Sequence, residues 1–396
     1  MTGAGTIGVA AQVSAALLRR NDVAQAFFAR EAPRLAEACH EMSERFQRGG
    51  RLLAFGRGAQ ATDAQHVAVE FVHPVIVGKR ALPALDISAT FGATVAALVG
   101  SDDMVMGFGP PGGDPEIDAA LAEAGRRGAM TFSLPGIGGS YAIDAIGDDP
   151  FVHQEIVEML YHVLWETVHV FFEHTPITQG AGNAGFLYPF LGGSAGDRDA
   201  LVTDVAASIL AKVADDALLR SQVAERSADV IASAVEAIAA RVGAGGTLLV
   251  LGNGGSATDA NDLVYDCVAP PGGHRRIPAI SLASEPANIT AIANDVGTDV
   301  IFLRQLIAHA HAGDVVIAFS TSGGSRNVIA ALDEARRRDL LTVAFLGSDG
   351  GEIRRRKLAD HCVVVESDWI PRIQEVQASI YHVMRNMLGE LGVGRD

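Results

Sequence analysis

The 396-residue chain is short of several features that would each name a function class. Its three cysteines, Cys39, Cys267 and Cys362, are odd in number and unclustered. That pattern supplies neither a disulfide framework nor a cysteine-ligated zinc site. Basic residues are scarce, 31 Lys and Arg against 47 Asp and Glu, for a formal net charge of −16. Nucleic-acid binding needs a basic footprint, so the charge argues against it. Although 48% of the residues are hydrophobic, no uninterrupted apolar run reaches the length of a membrane span. The N-terminus also lacks a basic, cleavable signal pattern, so a cytoplasmic protein with no membrane partner is expected.

The chain is long enough for two or three domains with a substantial core. Its most informative stretch runs from Leu248 to Asp262. Leu248 to Leu251 reads as a buried parallel strand, because nothing in it alternates. Gly252, Gly254 and Gly255 permit a tight turn, and Ser256 stands at the start of a helix running through Leu263 and Asp266. Strand, glycine turn and helix N-terminus make an anion site from free N–H groups and the helix dipole. The spacing is not the dinucleotide fingerprint, and no Gly-Lys-Ser/Thr follows to make a nucleoside-triphosphate loop. A second apolar strand, Val315 to Phe319, runs into Ser320-Thr-Ser-Gly-Gly-Ser325, with a helix from about Arg326. Two such loops at neighbouring parallel strand ends would face one crevice. Hydroxyls and N–H groups without a lysine suit a phosphate monoester on a sugar.

The chain repeats itself. Arg51 to His66 matches Thr247 to Asp262 at a constant offset of 196 residues. Leu82-Pro-Ala-Leu then matches Ile277-Pro-Ala-Ile, and Met104–Phe108 matches Val315–Phe319. Helix 115–127 pairs with 326–338, and strand 129–134 with 341–346. Gln154 and His162 are eight apart, as are Gln374 and His382. A domain over 1–174, a Gly-rich linker over 175–198 and a second domain over 199–396 follow. Each domain is predicted as α/β, a mainly parallel sheet flanked by helices in three αβα layers, preceded by a helical hairpin (6–47, then 199–241).

Gly-Asn-Gly-Gly-Ser-Ala (252–257), Ala-Asn-Asp (293–295), Ser-Thr-Ser-Gly-Gly-Ser (320–325) and Pro-Arg-Ile-Gln-Glu (371–375) occur in this order. In these the chain resembles the phosphoheptose isomerases, sedoheptulose 7-phosphate isomerases of the sugar isomerase (SIS) fold. The likeness spans most of residues 200–396. It implies two tandem SIS domains, and an aldose–ketose isomerase acting through an enediol on a phosphorylated sugar. It also implies substrate contacts from Asn253, Gly254, Gly255, Ser256, Asn294, Asp295, Ser320, Thr321, Ser322, Ser325 and Gln374.

On the helix after the first glycine turn, His66 and Glu70 stand at i, i+4 and share a face; Gln154 and His162 lie two turns apart on a later helix. Imidazole, carboxylate and amide oxygen are zinc-type ligands. The family pairs a His-x-x-x-Glu with a Gln-x7-His as metal ligands, and uses the same Glu and second His for acid–base work. The resemblance therefore implies a divalent metal, zinc above others, on His66, Glu70, Gln154 and His162, with Glu70 and His162 catalytic. The matching residues of the second half are Asp262, Asp266, Gln374 and His382, a weaker metal set but a second candidate acid–base pair in Asp266 and His382. The phosphate features divide the other way. Arg57, Ala59 and Gln60 replace Asn253, Gly255 and Ser256, and Gly109-Pro-Pro-Gly-Gly-Asp114 carries no hydroxyl. The first half also lacks about 15 residues around the Asn294 and Asp295 position. Two arrangements remain: a site shared between the halves, or a complete modified site in the second. A non-catalytic phosphosugar sensor or adaptor is the alternative function. The family's tetramers of single domains imply a fused pseudo-twofold pair and a homodimer of chains.

Overall fold

The computed structural model describes residues 8–75, 79–147, 149–174 and 198–395. In the first half the order is α1 (Val9–Gln47), β1 (Leu52–Gly56), α2 (Gln60–Val72), β2 (Ala84–Asp86), α3 (Phe91–Leu98), β3 (Met104–Phe108) and α4 (Pro115–Arg126). It closes with β4 (Met130–Leu134), β5 (Tyr141–Ala142) and α5 (Pro150–His174). The second half runs α6 (Arg198–Arg226), α7 (Ala228–Gly243), β6 (Leu248–Leu251), α8 (Gly255–Val268), β7 (Ala279–Ser281), α9 (Pro286–Asp295) and α10 (Ile301–His309). After these come β8 (Val315–Ser320), α11 (Arg326–Arg337), β9 (Leu341–Gly347), α12 (Gly351–Arg355), β10 (His361–Val365) and α13 (Ile370–Glu390).

Two five-stranded parallel sheets result, ordered β2-β1-β3-β4-β5 and β7-β6-β8-β9-β10. The orders are the same, and each sheet is flanked by helices, as the sequence predicts. The strands β1, β3, β4, β6, β8 and β9 are buried along their whole length, which is why β1, β3 and β6 read as unbroken apolar runs. The segment that the first half lacks is α9, which has no counterpart between β2 and α3.

The helical hairpins expected before each sheet are a correction. Residues Val9–Gln47 form one 39-residue helix that continues through Pro33. In the second half α6 and α7 are separated by Ser227 alone, fewer residues than a helical hairpin loop takes.

The compact units cut the chain differently from its sequence repeat. One holds Asp22–Asp215; the other holds the residues up to Asn21 together with those from Asp216 on. Val13, Ala16 and Leu17 of α1 pack with Leu219, Val223 and Ile231 in the second core. Asn21 seals that end, donating to the Ala217 carbonyl and Ser221 Oγ, each at 3.1 Å. Val205, Ile209 and Val213 of α6 pack in the first core, beside Trp165 and Val168. Each half thus lends the start of its leading helix to the other half's core. Of the expected linker, residues 175–197 lie outside the described residues. Among the described residues no helix is long and apolar enough to cross a membrane.

Candidate active site

Helix α5 is buried along almost its whole described length, so every polar side chain on it is a built feature. Gln154, Glu158 and His162 fall at i, i+4 and i+8 on one face, towards Asp63, His66 and Glu70 of α2, and all six are buried. His66 Nε2 stands 3.4 Å from His162 Nε2 and 3.9 Å from Glu70 Oε1. On its other side, His66 Nδ1 meets the Tyr161 hydroxyl at 3.0 Å, an outer contact that fixes the ring. The ligand atoms of His66, Glu158 and His162 all lie within 4.8 Å of one another. Of the four residues expected to bind metal, His66, Glu70 and His162 converge. Gln154 lies beside them with its amide nitrogen donating to Asp63 Oδ2 over 3.2 Å. Glu158 was missed by sequence reasoning, although its place midway between Gln154 and His162 was the signal.

Burial sets the electrostatics. It pushes His66 down to about 3, so the imidazole is neutral at physiological pH. Burial, reinforced by Glu166, pushes Glu70 up to about 8. Glu70 Oε2 has no hydrogen-bond partner among the described residues. Two imidazole nitrogens facing each other can share a proton or a cation between them. With Zn–N bonds of about 2.0–2.1 Å, the edge of a zinc tetrahedron is about 3.3–3.4 Å, which the 3.4 Å His66–His162 separation matches. The first-half residues fit a divalent ion.

In the second half the same frame holds other groups. His382 Nε2 lies 3.2 Å from Asp262 Oδ2 and 3.2 Å from Asp266 Oδ2. Tyr381 donates its hydroxyl to Asp262 Oδ2 at 2.7 Å. Burial first, and then the Asp262 charge, raise Asp266 well above the ordinary carboxylate range; His382 and Arg385 act in the opposite sense. Arg385 donates from Nε to the Asp266 carbonyl at 2.9 Å and is fully buried, a second residue the sequence reading passed over. Gln374 is buried on the same helix, two turns before His382.

The two loops expected to hold phosphate leave adjacent strands. Leu248 of β6 pairs with Val315 of β8, so both loops open at the same end of the sheet. Gly252 is required because a Cβ would lie 2.2 Å from the Ser256 carbonyl oxygen. Gly323 sits at φ +60, where a Cβ would lie 2.1 Å from the Gly350 oxygen. The Gly323 N–H turns back to Ser320 Oγ at 3.1 Å, and Gly324 N–H to Ser322 Oγ at 3.2 Å. Ser325 precedes α11 without capping it, and Gly254 makes no side-chain cap to α8, so neither helix N-terminus is filled by its own cap side chain. Asn253 and Asn327 exchange two amide bonds, at 3.0 and 2.8 Å, across the mouth. Asn294 and Asp295 end α9, exposed and bonded to each other at 2.8 Å.

The first half fills its own cradle. Asp114 caps α4, accepting from Glu116 N at 2.9 Å and Ile117 N at 3.4 Å. Arg57 then pairs with Asp114 at 3.2 Å and Glu116 at 3.1 Å. A carboxylate from the chain stands where a phosphate would need those amides.

The chain is similar to known proteins over part and over all of its length. The SIS domain family matches residues 214–347. The chain is 46% identical over 159 residues to the phosphoheptose isomerase of Geobacter sp. strain M21, spanning 40% of this chain and 82% of that protein. Over its whole length it shares its fold with the C-terminal domain of glucosamine-fructose-6-phosphate aminotransferase from Francisella tularensis, with a TM-score of 0.64 at 7% identity and all of both chains covered. A putative tagatose-6-phosphate ketose/aldose isomerase from Clostridium novyi is similar over 97% of this chain and 90% of its own, with a TM-score of 0.57 at 10% identity.

Proposed function

The chain belongs to the phosphoheptose isomerase family, a family of sugar-phosphate isomerases, and we propose on that premise that its second half isomerises sedoheptulose 7-phosphate to an aldoheptose 7-phosphate. The observation that carries this reading is the coexistence, in one half, of an open phosphate cradle and a buried carboxylate–imidazole pair. Ser256 and the Ser320–Ser325 loop hold the phosphate, with Asn253, Asn294, Asp295 and Gln374 orienting the sugar. Ser256 and Asp266 share α8, ten residues apart.

Asp266 takes the proton from the carbon next to the carbonyl, and His382 protonates the carbonyl oxygen to give the enediol. The reverse transfers at the neighbouring atoms deliver the aldose. Burial serves this chemistry by raising Asp266 towards neutral pH, where a general base is most effective.

In the first half, His66, Glu70, Glu158 and His162, with Gln154 beside them, would hold a divalent ion, zinc being the best match to two imidazoles. Such an ion can polarise a carbonyl when substrate reaches it. The Arg57–Asp114 pair closes the phosphate position of that half, so its ion serves structure. The hydroxyl-rich loops and the buried Asp266–His382 contact of the second half support the enzyme over the sensor reading. Turnover of sedoheptulose 7-phosphate, coupled to detection of the aldoheptose, tests the proposal; binding without turnover would favour the sensor.

A further inference from the structure

Asn253 and Asn327 face each other across the mouth of the second-half loops. Asn253 donates from Nδ2 to Asn327 Oδ1 at 3.0 Å, and Asn327 returns a bond from its own Nδ2 to Asn253 Oδ1 at 2.8 Å. Asn253 stands in the turn after β6, and Asn327 is the second residue of α11, the helix that follows β8. The pair therefore ties together two loops whose strands lie side by side. Neither residue is buried. Water can serve both amides there, so the link is a matter of placement.

A further bond fixes which way both amides point. Asn327 Oδ1 also accepts from the Val328 N–H at 2.9 Å. With the amide reversed, two donors would face each other at that contact, so the Asn327 oxygen belongs there and its nitrogen faces Asn253 Oδ1. The Asn253 amide is then set in turn. It keeps one N–H and one oxygen lone pair for a ligand.

The internal repeat carries the same link in other residues. Arg57 stands at the position of Asn253 and Glu116 at that of Asn327. Arg57 Nη1 lies 3.1 Å from Glu116 Oε1, so both members differ between the halves and the contact is kept. What differs is charge. The half with the hydroxyl-rich loops has a neutral amide pair, while the other has an ion pair with Asp114 joined to the same guanidinium at 3.2 Å. A carboxylate at the mouth repels a phosphate, and a neutral amide does not.

We propose that Asn327 is a positioning residue for the sugar phosphate. It clasps the two loops, orients the Asn253 amide towards the sugar, and by its neutrality leaves the mouth open to an anion. This inference rests on the proposed reading of the second half as the half that binds substrate.

The test is a double-mutant cycle on the full chain, with sedoheptulose 7-phosphate binding measured by calorimetry and KM and kcat in parallel. Asn327→Ala should weaken binding about three- to tenfold, the loss of an ordinary hydrogen bond, and the effect should fall on KM more than on kcat. Because Asn327 acts through Asn253, adding Asn327→Ala to Asn253→Ala should weaken binding no further. Asn327→Glu should bind more weakly than Asn327→Ala. Asn253→Arg combined with Asn327→Glu, which rebuilds the first-half link, should keep the wild-type melting temperature without recovering affinity. Wild-type affinity in Asn327→Ala, additive losses in the double variant, or recovered affinity in the Asn253→Arg, Asn327→Glu pair would each overturn the inference. If Asn327→Ala does not fold, Asn327→Asp decides, since it keeps the acceptor for Val328 and loses the donor to Asn253. Weakened binding is expected, and wild-type affinity would overturn the clasp. A wild type that binds without turnover would sink the proposed reaction alone, and the binding cycle would still decide. A wild type that binds no sugar phosphate would overturn both.

Discussion

His382 Nε2 lies 3.2 Å from the carboxylate of Asp266, on a helix that also carries Gln374, and both partners are buried. A base and an acid held in contact away from water can exchange protons with a substrate on either side. Asp266→Asn and His382→Gln should each lower kcat by about 10²–10⁴-fold, with substrate affinity changed much less. Because Asp266 titrates above the ordinary carboxylate range, the rising limb of kcat/KM against pH should lie well above pH 4. Asp266 must be ionised to act, so activity is lost as pH falls through that limb.

The open and filled cradles predict opposite responses. Ser320→Ala with Ser325→Ala removes two hydroxyls of the proposed phosphate site, each worth about 1.5–3 kcal/mol as a hydrogen bond to a charged group. Sugar-phosphate binding should weaken at least tenfold by calorimetry. Asp114→Ala should leave that affinity unchanged and instead lower the melting temperature, since it removes the cap of α4, worth about 0.5–2 kcal/mol.

Gly323 should tolerate no side chain. Its positive φ and the Gly350 oxygen 2.1 Å from the site of a Cβ both oppose alanine. Gly323→Ala should lose sugar-phosphate affinity with the fold retained by circular dichroism, whereas Gly272→Ala, in open space, should lose none.

The metal-free protein should weaken in mild alkali. Glu70 holds its proton to about 8 in the folded state, against 4.5 ordinarily. Between those values the folded state binds more protons than the unfolded one, so stability falls as pH rises. His66, pushed down to about 3, gives the opposite slope below 6.5. From pH 6.5 to 8 the Glu70 slope persists, at about 1.4 kcal/mol per pH unit at most, with the raised Asp266 adding in the same sense in the lower part of that range. Chemical denaturation of the stripped protein over this range should show the fall, and Glu70→Gln should flatten it. Saturating Zn²⁺ should also flatten it, by holding Glu70 ionised.

Much of this was legible in the sequence, for reasons that can be located. Buried parallel strands such as Leu248–Leu251 are apolar throughout, and the glycines of both loops sit where the backbone demands them. The offset of 196 residues exposed the exchange of His66 for Asp262 directly. Glu158 escaped because a spacing of eight between Gln154 and His162 draws the eye past the residue halfway, which is Ala378 in the other half. Arg385 escaped because an arginine on an amphipathic helix ordinarily faces water, and only packing shows it fully buried against Asp266. The exchange of helix starts escaped for a similar reason. Apolar spacing in Val13, Ala16 and Leu17 fixes a buried face but not which core receives it.

The oligomeric state has a simple check. The resemblance to tetramers of single domains implies a homodimer of this chain, and light scattering at micromolar concentration should give twice the 41.3 kDa chain mass. A strictly monomeric mass would count against it.

The most direct measurement of the central claim is conversion of sedoheptulose 7-phosphate in D₂O, followed by NMR of the product. If the second half carries the isomerase chemistry, the wild type and Glu70→Gln both yield aldoheptose 7-phosphate with deuterium at C2, and Asp266→Asn yields none. Loss of product in Glu70→Gln, with Asp266→Asn still turning over, would contradict the account.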